Sequence, residues 1–117
     1  MSIAAAQADT FFNEVTAAGE VWAIRDEGGF PTSTNASGET AMPFWSKESR
    51  ARKVIGNVKN YATFEVERLP LEKFAKTWLP GLQRDGLLVG INWSGEMASG
   101  YDMTPEEVAD RLSIMKR

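Results

Sequence analysis

Glu20-Val21-Trp22-Ala23-Ile24-Arg25-Asp26-Glu27-Gly28-Gly29 is the stretch on which the fold turns. Before it, Ala4, Ala8, Phe11, Phe12 and Val15 recur at helical spacing on one face, with Gly19 placed to cap the helix. From Glu20 the period drops to two. Trp22 and Ile24 face one side, Val21 and Ala23 the other, so an interior strand with both faces covered is expected. Glu27-Gly28-Gly29 reads as its turn. The expected return strand, Phe30 to Thr34, contains Pro31, which assigns it to an edge. An exposed edge there permits a homodimer without requiring one.

Working outward, Asn35-Ala36-Ser37-Gly38 forms a second turn, and Glu39 to Trp45 a third strand with Pro43 near its end. Ser46 is expected to cap a helix whose buried face is Ala51, Val54, Ile55 and Val58. Tyr61 to Arg68 alternates, Phe64 and Val66 in and Glu65 and Glu67 out, as a half-exposed strand does. Pro70 suits a first helical turn, and Leu71, Phe74, Ala75, Trp78, Leu79 and Leu82 make the strongest amphipathic stripe. Pro80 predicts a kink or an early end, because its ring clashes with the Lys76 carbonyl in a straight helix. Leu87 to Trp93 reads as another interior strand, and Ser94-Gly95-Glu96 as a turn into a weaker strand, Met97 to Met103. Thr104-Pro105-Glu106-Glu107 is a capping box. It opens a last helix with Val108, Ala109, Leu112 and Met115 on its apolar face. The order α-β-β-β-α-β-α-β-β-α, rich in hairpins, predicts an α+β fold: a single layer of mainly antiparallel sheet packed with helices, one globular domain over residues 1–117.

The 117 residues contain no histidine and no cysteine. That excludes a Ser-His-Asp triad within one chain, thiol chemistry, and the ligands used by most zinc, haem and iron–sulfur sites. No cysteine also means no disulfide, which suits a reducing compartment. The segment from Met1 to Asp9 has no basic side chain before an apolar run and does not read as a secretory leader. The apolar run Leu87 to Ile91 is too short to span a bilayer. The expected setting is the cytoplasm.

A resemblance rests on several runs taken in order: Val21-Trp22-Ala23-Ile24-Arg25-Asp26-Glu27-Gly28, Met42-Pro43-Phe44-Trp45-Ser46, Leu71-Glu72-Lys73-Phe74, Trp78-Leu79-Pro80-Gly81-Leu82, Asp85-Gly86, and the strand ending at Trp93. Together they resemble a family of short bacterial proteins, domain of unknown function 2750, over Phe11 to Trp93. The resemblance implies a compact α+β fold in the bacterial cytosol. It implies no reaction and no catalytic residue.

The net charge of −3 is uneven. Between Lys47 and Asn60 stand five bases against one acid, a local +4, so the remainder carries −7. With about 100° per residue and Ala51 at the origin, Val54, Ile55 and Val58 cluster within about 60°. Arg50, Lys53 and Asn57 fall near 200–260° and Arg52 and Lys59 near 80–100°. Solvated flanks of a buried helix explain this split, although Arg50, Lys53 and Asn57 together suit a phosphate or an acidic group. Trp22 and Trp78 read as core. Trp45 and Trp93, at strand ends beside Ser46 and Ser94, are candidates for a groove rim.

The first functional reading is a non-enzymatic protein- or peptide-binding or regulatory module. Its surface would include Trp45, Ser46, Arg50 and Lys53, where a helix start also offers free backbone N–H groups to an acidic group. The second is nucleic-acid or phosphate binding through the basic helix 47–59, disfavoured by the overall acidity. The third is a carboxylate-dependent enzyme, for which neither Glu65 and Glu67 nor Glu106 and Glu107 shows convergence. The leading reading has no catalytic residue, metal, cofactor or membrane contact.

Overall fold

The computed structural model describes residues 3–95 and 98–115, with the side chains of Ser99 and Met115 left aside. Glu96, Met97 and Met115's place on the last helical face therefore lie outside the described residues, as do Met1 and Ser2. The elements follow the expected order: α1 (Ile3–Ala18), β1 (Glu20–Arg25), β2 (Ser33–Thr34), β3 (Thr40–Phe44), α2 (Glu48–Asn57), β4 (Glu65–Pro70), α3 (residues 71–84), β5 (Leu88–Ser94), β6 (Ser99–Met103) and α4 (Pro105–Met115). The fold is α+β.

The sheet is more mixed than hairpins alone would make it. β1 pairs antiparallel with β4, from Glu20↔Pro70 to Arg25↔Glu65. A second sheet runs β2-β3-β5-β6, and within it β3 and β5 are parallel, Ala41↔Leu88 through Phe44↔Ile91. The two sheets touch through one bridge, in which Trp22 and Trp45 exchange backbone hydrogen bonds of 2.7 and 2.8 Å. The parallel pair follows from the long crossover through α2, β4 and α3.

The turn after β1 forms as expected: Asp26 and Gly29 exchange backbone bonds, and the Asp26 carboxylate accepts the Gly28 N–H. The return strand does not follow it. Only Ser33 and Thr34 are strand, and they pair with β3. Phe30 instead packs edge-on against Trp78 at 4.8 Å, and Pro31 has no N–H to give a ladder. β4 takes the place left beside β1. It begins at Glu65, later than expected, because a 3₁₀ turn, Lys59–Tyr61, follows α2.

Pro80 neither ends nor breaks its helix. Leu71–Lys73, a π turn at Phe74–Trp78 and Leu79–Arg84 run on continuously. The π turn closes with the Leu79 N–H on the Phe74 carbonyl, five residues back. Widening the helix just before the proline relieves the clash that a regular turn would create. The capping box of α4 also forms. The Thr104 N–H donates to Glu107 at 3.0 Å and the Glu107 N–H to Thr104 Oγ1 at 3.1 Å.

The alternation in β1 sorts the core into two. Val21 and Ala23 join Phe11, Phe12, Phe44, Phe74 and Ile91 under α1, α3 and α4. Ile24, with Trp22 packed alongside, joins Trp45, Trp93, Ala51 and Val54 under α2 on the opposite face. No helix among the described residues is long and apolar enough to cross a membrane.

Candidate functional site

The C-terminal ends of the parallel strands β3 and β5 meet α1 and the start of α2 at the seam between these two clusters. Asn92 is the pivot. It is a polar residue at the end of an apolar strand, with φ of +47°, where L-residues other than asparagine, aspartate and glycine are strained. It begins a β-bulge: β5 places two residues, Asn92 and Trp93, between Ile91↔Tyr101 and Ser94↔Ser99, where β6 places one. The bulge turns the Asn92 amide inward. Its Oδ1 accepts the Ser46 N–H at 2.9 Å and its Nδ2 donates to Ser46 Oγ at 3.0 Å. Its backbone carbonyl accepts Gln7 Nε2 of α1 at 2.6 Å.

The same bulge lays the Trp93 indole flat across two glycines. A Cβ on Gly90 would stand 2.5 Å from the ring, and one on Gly100 2.9 Å, so neither position has room for a side chain. The Trp93 N–H donates to Asp102 at 2.9 Å, and the Trp93 carbonyl accepts the Trp45 indole N–H at 2.8 Å. Burial pushes the Asp102 carboxyl above its ordinary range; the Trp93 N–H opposes this and Glu39 reinforces it.

Ser46 hands the network on to α1. Its hydroxyl donates to Glu14 Oε1 at 2.6 Å. Arg50 grips Glu14 through two bonds, Nε to Oε1 at 2.9 Å and Nη2 to Oε2 at 3.0 Å, and Lys47 Nζ lies 3.5 Å from Oε2. Paired hydrogen bonds of this kind are directional as well as strong. The Arg50 bond is the chief reason that Glu14 titrates at about 2; burial opposes it, while the Ser46 hydroxyl and the charges of Arg50 and Lys47 add to it. A carboxylate held that low does not exchange protons near neutrality, so Glu14 acts here as a fixed counter-charge and not as an acid or base.

Each residue singled out in sequence can now be placed. Trp45 is fully buried (0% exposed) and Ser46 nearly so (1%). Neither is on a surface, which corrects the expectation of a rim. The reason is chemical: the Trp45 N–H needs a buried acceptor and finds it on Trp93, and the Ser46 hydroxyl is committed to Glu14 and Asn92. Ser46 does not cap α2 either. Lys47 occupies that position, with no side-chain cap bond. Arg50 and Lys53 do reach solvent. With Asn57, Asn92, Ser94 and Gly95 they line a groove of about 420 Å³, floored by Val54 and Trp93. Lys47, Arg50 and Lys53 against Glu14 leave this corner with a local charge of +2.

Sequence reasoning missed Glu14 and Asn92. Both left a signal. Glu14 lies three residues after Phe11, at the edge of the buried face of α1, and Asn92 is a poor strand former following Leu87 to Ile91.

Arg52 of α2 lines a different groove, with Ile55, Phe64 and Val66. Arg52 pairs with Glu48 at 2.6 Å, and no single stripe forms. Glu67 pairs with Arg25 at 3.4 Å. Among the described residues no three acidic side chains gather as a metal ion requires.

No curated protein matches the chain in sequence. The sequence model of the family described as Protein of unknown function (DUF2750) matches residues 8–112, nearly the whole length, and the chain belongs to that family.

Proposed function

We propose that this protein is a binding module, and that the groove between α2 and the end of β5 receives an acidic group of a protein or peptide partner. The observation that carries the reading is the convergence of Arg50, Lys53, Asn57 and Asn92 on one groove. Arg50 is positioned there by its paired bonds to Glu14, and Asn92 by Ser46. A prepositioned guanidinium loses less freedom on binding than a mobile one. The groove holds cations and neutral amides but no titrating acid–base pair, so it suits recognition and not proton transfer.

The test is a fluorescence-anisotropy titration with a labelled glutamate hexapeptide, against a lysine hexapeptide. The glutamate peptide binds, weakens as salt rises, and loses about tenfold in affinity, about 1.4 kcal/mol, on Lys53→Glu. Lys53 is exposed, so the variant keeps its fold, which circular dichroism confirms. Equal binding of the two peptides, or an unchanged affinity in Lys53→Glu, refutes the reading.

A further inference from the structure

The groove does not end at Arg50. A second groove, of about 440 Å³, begins where the first stops and shares Arg50, Asn92 and Ser94 with it. It continues along α1 past Gln7, Ala6 and Ile3. The two halves differ in chemistry. The α2 half carries Arg50 and Lys53; the α1 half carries no charge beyond Arg50 and ends on Ile3. Ile3 is 89% exposed, the more exposed of two large apolar side chains that stand in solvent among the described residues.

Resting on the binding reading above, we infer that the two grooves act as one trough for an extended peptide segment with acidic residues at one end and apolar residues at the other. Charge complementarity sets the acidic end against Arg50 and Lys53. The apolar end lies on Ile3 and Ala6, where it removes exposed hydrocarbon from water. Each groove follows about two helical turns, roughly 10 Å, along α1 or α2. The trough therefore accommodates up to about six residues of extended chain. Ser94, exposed beside the buried Asn92, stands at the midpoint, where its hydroxyl can bond the peptide backbone.

The experiment uses labelled hexapeptides: a mixed one with two glutamates and two leucines at opposite ends, made in both orders, an acidic one without leucines, and a leucine one without acids. Wild type binds the mixed peptide in one order about tenfold tighter than the acidic peptide. Ile3→Ser removes that gain without adding charge and leaves the acidic peptide's affinity unchanged; Lys53→Glu weakens both. Equal affinity for mixed and acidic peptides, or a gain that survives Ile3→Ser, overturns the trough while leaving the acidic-group reading standing. Absence of binding by any acidic peptide overturns both. A labelled oligothymidylate that binds more tightly than every peptide overturns the inference in favour of a nucleic acid.

Discussion

The two sides of the sheet are built by different means. Under α1, α3 and α4 the core is aromatic and aliphatic. Phe44 meets Phe74 and Trp78 edge-on at 5.0 and 5.9 Å, and Phe11 meets Phe12 at 5.3 Å. Under α2 the core is organised around two tryptophans whose N–H groups are each committed to one acceptor, beside the buried Asn92–Ser46 pair and the half-buried Glu14. Hydrocarbon packing has little direction, so the first side tolerates any well-filled arrangement. Hydrogen bonds have direction, and the second side uses them to hold particular atoms in place. The groove opens on that second side. Stability and orientation are thus divided between the two faces, and the solvent-facing cations belong to the face that orients.

The largest effect should come from the first side. Phe74→Ala removes a fully buried ring and should cost about 3–5 kcal/mol, read by urea denaturation. The loss should not depend on pH, since no titrating group is involved.

The second side should answer to acid instead. In the folded chain Glu14 titrates at about 2, against an ordinary 4.5. Its contribution is therefore complete above about pH 4.5 and lost as pH falls toward 2. That shift corresponds to roughly 2–3 kcal/mol once the partial exposure of Arg50 is discounted. Glu14→Gln should lose about this much at pH 7 and only a small fraction of it at pH 2. A constant difference across that range would place Glu14 outside the clamp described above.

Asn92 separates backbone from side-chain effects. Asn92→Ala leaves the buried Ser46 N–H without its acceptor and holds alanine at positive φ, costing about 2–4 kcal/mol. Asn92→Gly relieves the second cost alone and should be about 1 kcal/mol less harmful. Thermal melts of the two variants distinguish these contributions. Equal losses would mean that the bulge is not strained.

The smallest effect on stability should be Lys53→Glu, within about 0.5 kcal/mol, although it should change peptide binding most. That inversion between stability and binding is what the division of labour requires.

Much of this was legible in the sequence, for stated reasons. The two-sided alternation in β1 announced an interior strand and sorted Val21 and Ala23 from Trp22 and Ile24. The amphipathic stripe from Leu71 to Leu82 and the capping box at Thr104 each depend on local spacing, and both formed. The parallel pairing of β3 with β5 was not legible, because strand partners 47 residues apart leave no local pattern. Pro80 marked a disturbance but not its π-turn form. At the site, the wheel positions of Arg50, Lys53 and Asn57 put them on one face, and that face lines the groove. Trp45 was placed at a rim because it adjoins Ser46. Burial of both follows from partners 32 to 48 residues away, which no single stretch of sequence displays.

The central claim is best tested through the four tryptophans, whose indole N–H groups give separate signals in a nitrogen–proton correlation spectrum. Trp93 floors the groove and is bonded to Trp45; Trp22 and Trp78 do not line it. Titration with the glutamate hexapeptide should move the Trp93 indole signal, with a smaller change at Trp45, together with the amides of Lys53, Asn57 and Gly95. The Trp22 and Trp78 signals should stay in place. Movement at Trp78 or Trp22 with Trp93 unchanged would contradict the account.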